Sequence, residues 1–286
     1  MILIADSGST KTDWVGVENY KEILNTRTMG FNPFLHSVEN IVSGITENTE
    51  VIGVSDSVDH LYYYGAGCSS EDLIKIVVTA LKKVFVNAEI SVKHDTLASA
   101  LATYSGEPGI SCILGTGSNS CYFDGENIKE EVPALGYVMG DEGSGSYFGK
   151  NLLRDFLYKK MPKDLAQTFQ EKYSLDKDEI LENVLSKPFA NVYMASFSHF
   201  MYDIRDTDYI SGLIKSGFKE FLTYHVQCFA DYQKLPVHFI GSISHFYEKE
   251  LREVADGMDI NVGTIIQKPI SGLVNYHIKY QKNHIS

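Results

Sequence analysis

Residues 1–17 read MILIADSGSTKTDWVGV and place a short polar turn between two apolar strands. The strands are Ile2 to Ala5 and Trp14 to Val17, and the turn runs from Asp6 to Thr12. Small residues with exposed N–H groups and hydroxyls suit a phosphate, because oriented backbone donors form anion-binding concavities. Asp6, at the end of the first strand, supplies a carboxylate of the kind that Mg²⁺ shares with substrate phosphates. The stretch predicts either an ATP-cleaving β-hairpin or an ordinary polar hairpin, since Ser, Gly, Thr and Asp also dominate turns.

The composition is that of a globular chain, with 286 residues and a formal charge of −12. This length suits one large domain or two ordinary ones. An acidic chain without a basic run argues against nucleic acid or an anionic membrane as the main partner. No apolar run reaches the length of a membrane span, and Met1 leads into the first strand with no basic segment or cleavage site before it. We therefore expect a cytoplasmic protein.

The cysteines follow no metal-binding pattern. They are Cys68, Cys112, Cys121 and Cys228. No two form a CxxC pair and none stands beside clustered histidines, so the spacing favours neither zinc nor an iron–sulfur cluster. We expect reduced thiols in or near the core.

Strand and helix patterns alternate along the chain, which predicts an α/β fold. Besides the first hairpin, the predicted strands are 23–28, 60–64, 88–93, 237–240 and 260–266. The predicted helices are 36–46, 70–85, 96–104, 147–157, 245–254 and 269–280, with an amphipathic helical series over 159–232. Crossovers between strands imply a largely parallel sheet that extends the antiparallel hairpin.

A second strand–turn–strand unit follows the breaker at 105–109. Ile110 to Leu114 and Ser120 to Phe123 read as strands around the turn Gly115-Thr116-Gly117-Ser118-Asn119. The pattern repeats that of the N-terminus and suggests two related halves, each opening with a phosphate-binding hairpin. Polar turns also end the strands before Asp95 and Gly241. Because ligands of open α/β sheets bind beyond the carboxyl ends of strands, these turns are the candidates for one site.

Several motifs resemble those of one protein family. Asp6 to Thr12 is similar to its first phosphate motif and Ile113 to Asn119 to its second. Phe239 to Ser244 resembles the adenosine motif, and Met139 to Gly145 resembles the loop that follows the second phosphate motif. In order and spacing they resemble the sugar-kinase branch of the actin/hexokinase superfamily, and more closely the N-acetylglucosamine kinases of the BadF/BadG/BcrA/BcrD ATPase family.

The resemblance implies an α/β fold of two ribonuclease-H-like, actin/hexokinase-type domains with mixed five-stranded sheets that flank an ATP and sugar cleft. The N-terminal domain would be 1–108, joined by a C-terminal helix at 269–286, and the C-terminal domain 109–268. The implied activity is phosphorylation of the 6-hydroxyl of N-acetylglucosamine or a related amino sugar with Mg-ATP. A homodimer is compatible with this reading.

The resemblance also implies roles for individual residues. Asp95 matches the general base and Asp6 the metal ligand, while Asn32, Asp95 and Asp141 would hold the sugar. The nucleotide would be bound by a set of small and polar turn residues: Ser9, Thr10, Lys11, Gly115, Thr116, Gly117, Asn119, Gly241, Ser242 and Ser244. A carboxylate is a weak base, so Asp95 would act mainly by orienting the attacking hydroxyl.

Structural alternatives stand beside these roles. Asp95 suits a helix N-cap, Lys11 a solvated surface position, and Gly241 a plain strand-to-helix turn. Asp141 and Glu142 suit a solvated turn or an additional metal site. The segment Val132 to Val138 departs from the family, whose comparable members carry a glycine-rich run with a tryptophan there, so it bears on which sugar is bound.

Two other functions are compatible with the resemblance. One is an activator ATPase of a radical dehydratase or reductase, which bridges a dimer with a cysteine-held iron–sulfur cluster; no cysteine pair here fits that use. The other is a non-enzymatic sugar or nucleotide sensor on the same fold. Transcriptional sensors of this kind carry a DNA-binding module before the first phosphate motif, whereas here Met1 adjoins that motif.

Overall fold

The computed structural model describes residues 1–8 and 10–280. Its internal contacts divide the chain into two compact units. Unit 1 consists of Met1–Gly106 and the chain from Lys268 on, and unit 2 of Glu107–Gln267. The predicted nucleotide residue Ser9 and the end of the predicted helix 269–286, from 281 on, lie outside the described residues.

Unit 1 contains a mixed five-stranded sheet. Its strands are β1 (Ile2–Ser7), β2 (Lys11–Glu18), β3 (Lys21–Met29), β4 (His60–Gly65) and β5 (Glu89–His94). They lie in the order β3-β2-β1-β4-β5, with β1, β2 and β3 antiparallel and with β4 and β5 parallel to β1. The sheet therefore extends an N-terminal hairpin by parallel crossovers, as the sequence predicts. It is not largely parallel, however, because β1–β2 and β2–β3 are antiparallel pairs.

Helices cover both faces of this sheet. They are α1 (Val38–Thr46), α2 (Thr49–Val54), α3 (Glu71–Val84), α4 (Asp95–Thr103) and α14 (Ile270–Tyr280). On one face the rings of Trp14, Tyr63 and Phe85 form the centre of an apolar core against α1 and α3. On the other face α14 contacts β1, β2 and α4. The side chains of Asp6 and Asp13 project toward that second face, because strand residues alternate between faces.

Unit 2 contains a second sheet with the same plan. Its strands are β6 (Gly109–Leu114), β7 (Ser118–Phe123), β8 (Ile128–Lys129), β9 (Val237–Ile240) and β10 (Val262–Ile266). The order is β10-β9-β6-β7-β8, with β7 antiparallel to β6 and β8, and with β9 parallel to β6 and β10. In both units an antiparallel three-stranded meander is extended by two parallel strands on the far side of its first strand.

The helices of unit 2 form an apolar core that is larger than the core of unit 1. They are α5 (Gly136–Met139), α6 (Gly145–Leu157), α7 (Lys163–Tyr173), α8 (Lys177–Leu185), α9 (Ala190–Ser196), α10 (Ser198–Asp203), α11 (Asp208–His225), α12 (Ser242–Phe246) and α13 (Glu248–Asp256). Phe148, Phe169 and Phe218 are fully buried in this core. Among the described residues no helix is both long and apolar enough to cross a membrane.

The predicted α/β class with two mixed five-stranded sheets is confirmed. The sequence patterns missed α2, the short edge strand β8 and α5, and they joined α12 and α13 into one helix. These elements are two to nine residues long. Periodicity needs a longer window than most of them provide, since the hydrophobic pattern is read over 11–18 residues.

Candidate active site

The first candidate turn joins β1 to β2 and is fixed from beneath by buried hydroxyls. Thr12 Oγ1 lies 2.8 Å from Ser7 Oγ, which also accepts a hydrogen bond from the N–H of Phe31 at 3.1 Å. At the tip, Gly8 N donates to Lys11 O at 2.9 Å. Thr10 and Lys11 are exposed there. Buried hydrogen bonds therefore hold the base of the hairpin, while Thr10 and Lys11 face solvent.

Two carboxylates lie side by side at the end of this hairpin. Asp6 on β1 is directly opposite Asp13 on β2, and Asp13 is opposite Arg27 on β3. Asp13 is 5% exposed, and its Oδ1 forms ion pairs with Arg27 Nε and, at 3.5 Å, with Lys268 Nζ. Like charges placed directly opposite each other across strands are destabilising. Arg27 and Lys268 offset this repulsion.

Asp6 lies in a strongly anionic setting. Burial, followed by the neighbouring charges of Asp95 and Asp13, raises the pKa of Asp6 to about 7, although Lys11 and Lys268 act in the opposite direction. No hydrogen bond joins the Asp6 carboxylate to any other described residue. A buried carboxylate that other carboxylates oppose is one that a cation would stabilise.

The predicted base, Asp95, is the first residue of α4, where β5 ends. It is not the N-cap: that position belongs to His94, whose Nδ1 accepts from the N–H of Thr96 at 3.3 Å. Asp95 Oδ1 lies 2.9 Å from His94 Nδ1, and its side chain is 29% exposed. Asp6 and Asp95 are thus brought close enough to interact.

Asn32 lies in the same unit, against the loop that follows β4. Its side-chain Oδ1 accepts from the N–H of Phe34 at 3.0 Å and packs against Gly67, where an added Cβ would come within 2.5 Å of that oxygen. The backbone N–H of Asn32 donates to His36 Nδ1 at 3.1 Å, whereas its side-chain Nδ2 makes no hydrogen bond to the described part of the chain. The Asn32 side chain is therefore oriented by its own loop and keeps a free donor.

The second candidate turn joins β6 to β7 and is supported by the beginning of α6. Gly145 N donates to Gly115 O at 2.8 Å, and Ser146 N donates to Thr116 O at 3.0 Å. The carbonyl oxygens of the turn are thereby engaged by the helix. Within the described chain, the N–H groups of Thr116 and Gly117 have no hydrogen-bond partner. A turn with satisfied carbonyls and unpaired N–H groups is suited to an anion.

Asp141 lies against this turn in unit 2. It is 9% exposed, and its Oδ1 accepts from the N–H of Ser118 at 3.2 Å while its Oδ2 accepts from Ser146 Oγ at 3.3 Å. A Cβ on Gly117 would lie 3.1 Å from both carboxylate oxygens, so the backbone and the carboxylate are in close contact. Burial raises the pKa of Asp141, and the bonds from Ser118 and Ser146 oppose this shift.

Glu142 is paired with a buried histidine. Its Oε2 lies 3.4 Å from His225 Nε2, and the imidazole stacks on Phe221 with ring centroids 4.9 Å apart. The other ring nitrogen, Nδ1, is buried without a hydrogen-bond partner in the described chain. Burial lowers the pKa of His225, against the pull of Glu142 and Asp141. The end of α11 therefore fixes the loop that carries Asp141.

Gly241 connects β9 to α12 beside the end of β6. Its φ is +130°, and an added Cβ would lie 2.2 Å from Leu114 O and 3.0 Å from Gly115 N. Ser244 is buried, and its Oγ donates to Gly241 O at 3.1 Å. Ser242, the first residue of α12, is partly exposed.

Within unit 2 the candidate residues gather around the β6–β7 turn, with one difference from expectation. Asn119 lies inside β7 rather than in the turn, is 7% exposed, and accepts the N–H of Ser120 through its own Oδ1 at 2.8 Å. Asp13, Lys268 and His225 were not among the sequence-based candidates. The acidic residue in Thr-Lys-Thr-Asp-Trp was a visible signal for Asp13, whereas Lys268 and His225 carried none.

The donors of unit 1 suit a divalent cation that keeps its waters, such as Mg²⁺, rather than one that needs a cage of protein ligands. In the described part of the chain no group of three or more His, Cys, Asp or Glu side chains forms a cage. Mg²⁺ needs no such cage, because it keeps several waters and takes one or two carboxylates together with phosphate oxygens. The Asp6 carboxyl group, which has no hydrogen-bond partner in the described chain and feels the charges of Asp95 and Asp13, suits that arrangement.

Comparison with known proteins identifies close relatives. A solved structure from Porphyromonas gingivalis, provisionally described as an N-acetylglucosamine kinase, is 37% identical and superimposes with a TM-score of 0.92 over 98% of this chain and 100% of its own. An N-acetyl-D-glucosamine kinase of Dictyostelium discoideum is 30% identical over 198 residues, which are 62% of this chain and 61% of that protein's length. The chain thus spans less than two thirds of this curated relative.

More distant structures share the fold. A ROK family glucokinase from Streptomyces griseus, solved with glucose and AMPPNP, superimposes with a TM-score of 0.55 at 12% identity over 98% of this chain and 99% of its own. At that identity only the fold is shared, and it is the actin/hexokinase fold that the motifs predicted. The family model for BadF/BadG/BcrA/BcrD ATPases matches residues 5–173, which include both candidate turns and the Asp141 loop. The chain therefore belongs to the BadF/BadG/BcrA/BcrD ATPase family.

Proposed function

We propose that this protein is an ATP-dependent kinase that phosphorylates the 6-hydroxyl of N-acetylglucosamine or a related amino sugar. The chain belongs to a family of ATPases. Two proteins similar to this chain are described as N-acetylglucosamine kinases, the one from Porphyromonas gingivalis provisionally. ATP and the sugar would be its small-molecule substrates, with no role for nucleic acid or a membrane. A homodimer is compatible with this proposal.

One observation supports nucleotide binding above the others. The carbonyls of Gly115 and Thr116 are bonded to α6, while the N–H groups of Thr116 and Gly117 are unpaired in the described chain. Phosphate oxygens are strong acceptors and would satisfy both donors. The adenosine part of ATP would lie beside Gly241, with Ser242 within reach. The side-chain oxygens of Asn119 and Ser244 already form hydrogen bonds within unit 2. These two residues would therefore support the nucleotide surface from beneath.

Asp95 would act as the general base toward the sugar. Its carboxylate accepts the proton of the 6-hydroxyl as that oxygen forms a bond to the γ-phosphorus, and the bond from the γ-phosphorus to the bridging oxygen breaks to release ADP. The contribution of Asp95 lies mainly in orienting the hydroxyl, because phosphoryl transfer depends on positioning and charge neutralisation. Asp95 Oδ1 is buried without a hydrogen-bond partner in the described part of the chain, so it is available to accept that proton.

Asp6 would hold Mg²⁺, which when bound neutralises phosphate charge. Thr10 and Lys11, which are exposed at the end of the first hairpin, would contact phosphate oxygens, and Ser9 would contribute to the same contact. Lys11 is a suitable point charge for that purpose.

Asn32 and Asp141 would hold sugar hydroxyls. Carboxylate and amide groups fix hydroxyl directions through paired hydrogen bonds. Each Asp141 oxygen has a further lone pair, so the carboxylate can support the β6–β7 turn and accept from a sugar at once. Near it, Val138 and Met139 are each 71% exposed, and this apolar surface would face an acetamido methyl group more favourably than a hydroxyl.

A coupled assay of ADP release against a panel of amino sugars tests the proposal. We expect N-acetylglucosamine to stimulate ADP release, and Asp95→Asn to abolish this while an ATP analogue still binds by calorimetry. Asp208→Asn is the matched control, because Asp208 is likewise the first residue of a helix but lies on α11. Binding of sugar and nucleotide without turnover in the wild type would instead indicate a sensor. Retained turnover in Asp95→Asn would remove Asp95 as the base.

The activator ATPase reading is not favoured by the cysteines. A four-cysteine cluster shared by two copies needs two accessible thiols from each. Cys68, Cys112 and Cys121 are buried, which leaves only the partly exposed Cys228. A colourless protein after anaerobic purification is therefore expected.

A further inference from the structure

Lys268 lies beside the carboxylate pair proposed to attract the metal. Its Nζ is 3.5 Å from Asp13 Oδ1, and its charge also acts on Asp6. The Lys268 side chain is 29% exposed and that of Asp13 only 7% exposed, so solvent screens the pair incompletely. Lys268 is also the residue at which the chain returns to unit 1. The contact links residues that are 255 positions apart in the sequence.

Asp95 and Asp13 place negative charge beside Asp6, and Lys11 and Lys268 offset part of it without any metal. Asp13 is neutralised by Arg27 on the adjacent strand, and Lys268 provides a second positive charge that both aspartates share. Arg27 is 56% exposed along its side chain and lies on the far side of Asp13 from Asp6, since β2 separates β3 from β1. Of these two cations, Lys268 is the one whose charge acts on Asp6.

We propose that Lys268 is a resident counter-cation that keeps divalent metal from binding strongly at Asp6 until the phosphates of a nucleotide arrive. This inference rests on the proposed function, because it takes Asp6 as the metal ligand of a nucleotide kinase. In the free protein the ammonium group neutralises the pair and repels a divalent ion. When the triphosphate is present, its negative charges offset that repulsion, so metal and nucleotide bind together.

The ammonium group of Lys268 can oppose a divalent ion because these charges lie close together and are partly buried. Two like charges a few ångströms apart interact far more strongly at a partly buried site than in water. A divalent ion doubles that repulsion relative to a monovalent one. Removing the ammonium should therefore strengthen metal binding, whereas removing a carboxylate should weaken it. General damage to the fold would weaken binding in both cases, so the opposite signs identify the electrostatic effect.

The test is titration with Mn²⁺ alone, followed by the loss of the free Mn²⁺ signal in electron paramagnetic resonance. We expect Lys268→Met to lower the dissociation constant about tenfold or more relative to wild type. Lys268→Arg, which keeps the charge, should resemble wild type. The double variant Lys268→Met with Asp13→Asn should lose most of the gain. When the titration is repeated with the ATP analogue AMPPNP present, the advantage of Lys268→Met should shrink.

A control on the surface separates this from a general effect of charge. Lys215 forms an ion pair with Glu253 at 2.9 Å in unit 2, and Lys215→Met should leave Mn²⁺ affinity unchanged. If Lys268→Met binds Mn²⁺ no more tightly than wild type while its far-ultraviolet circular dichroism is native, the inference is wrong. Tighter Mn²⁺ binding by Lys268→Met in a protein without sugar-stimulated ADP release would support the inference and count against the kinase instead.

Discussion

Gly241→Ala is the substitution whose consequence can be derived most fully. The added methyl group would lie 2.2 Å from Leu114 O, 2.5 Å from Leu114 C and 3.0 Å from Gly115 N. All three atoms belong to the backbone of β6 and the β6–β7 turn, so no side chain can rotate away. With φ at +130° and ψ at 166°, the residue also occupies a region that is almost restricted to glycine.

Two costs combine in this variant. A non-glycine residue in that backbone region costs on the order of 1–3 kcal/mol, and overpacking costs about the same. Relaxation lets one distortion relieve part of the other, so we expect a loss of about 3 kcal/mol in the free energy of unfolding. With an m-value of about 2 kcal/mol/M, the urea midpoint should fall by about 1.5 M. Displacement of Gly115 should also raise the KM for ATP.

The assay can assign the loss to one unit. Trp14 is the single tryptophan, is fully buried and belongs to unit 1, so its fluorescence reports on that unit. Far-ultraviolet circular dichroism reports on both units. Gly241→Ala should lower the midpoint seen by circular dichroism, and the fluorescence midpoint should follow only if the units unfold together.

Gly212→Ala is the control in the same unit. Gly212 is exposed within α11 and has no heavy atom within 4 Å of an added Cβ. Alanine should stabilise that helix by up to about 1 kcal/mol. A Gly241→Ala protein with an unchanged urea midpoint and an unchanged KM for ATP would refute the proposed role of the close approach between β9 and β6.

Two further predictions concern unit 2. His225 has a pKa lowered from 6.5 by burial, so it adds stability that is fully present above pH 6.5 and is lost as the pH falls toward its folded-state value. His225→Gln should therefore flatten the decline of the urea midpoint between pH 7 and pH 5, and an unaltered slope would contradict this. Asp141→Asn should raise the KM for ATP by several-fold, because a charged acceptor for the N–H of Ser118 is replaced by a neutral one. Unchanged KM values for ATP and sugar would remove Asp141 from the site.

Local signals along the chain were sufficient for most of the architecture. The apolar strands beside the turns at 6–12 and 115–119 predicted both hairpins, and the position of β9 was predicted at Val237 to Ile240. These elements have clear edges because glycine and short polar residues interrupt continuous apolar runs. The parallel crossovers that extend the first hairpin were also predicted, since parallel strands need a long connection such as a helix, but the order of the strands was not.

The charged contacts of the site could not be predicted from the sequence, because they join residues that are far apart along the chain. Asp141 bonds to Ser118 across 23 positions, and Lys268 reaches Asp13 across 255. The structural alternative for Asp95, a helix N-cap, is not what the structure shows, because the imidazole of His94 takes that position. Asp95 is consequently not committed to capping. Neither periodicity nor composition contains such information, since it arises only when strands and helices pack.

The two hairpins use one backbone plan with opposite electrostatics. In unit 1 the pair before the last in the β1–β2 ladder is Asp6 opposite Asp13; in unit 2 the corresponding pair of the β6–β7 ladder is Ile113 opposite Asn119. The first hairpin therefore concentrates negative charge, which attracts a cation and repels a bare phosphate. The second is neutral in its ladder and has unpaired N–H groups at its tip, which suits an anion. Under the proposed function, the first hairpin would hold the metal and the second would bind the phosphates of the nucleotide. A double variant that reverses this charge pattern, with Asp13→Asn in the first hairpin and Asn119→Asp in the second, should weaken nucleotide binding more than either substitution alone.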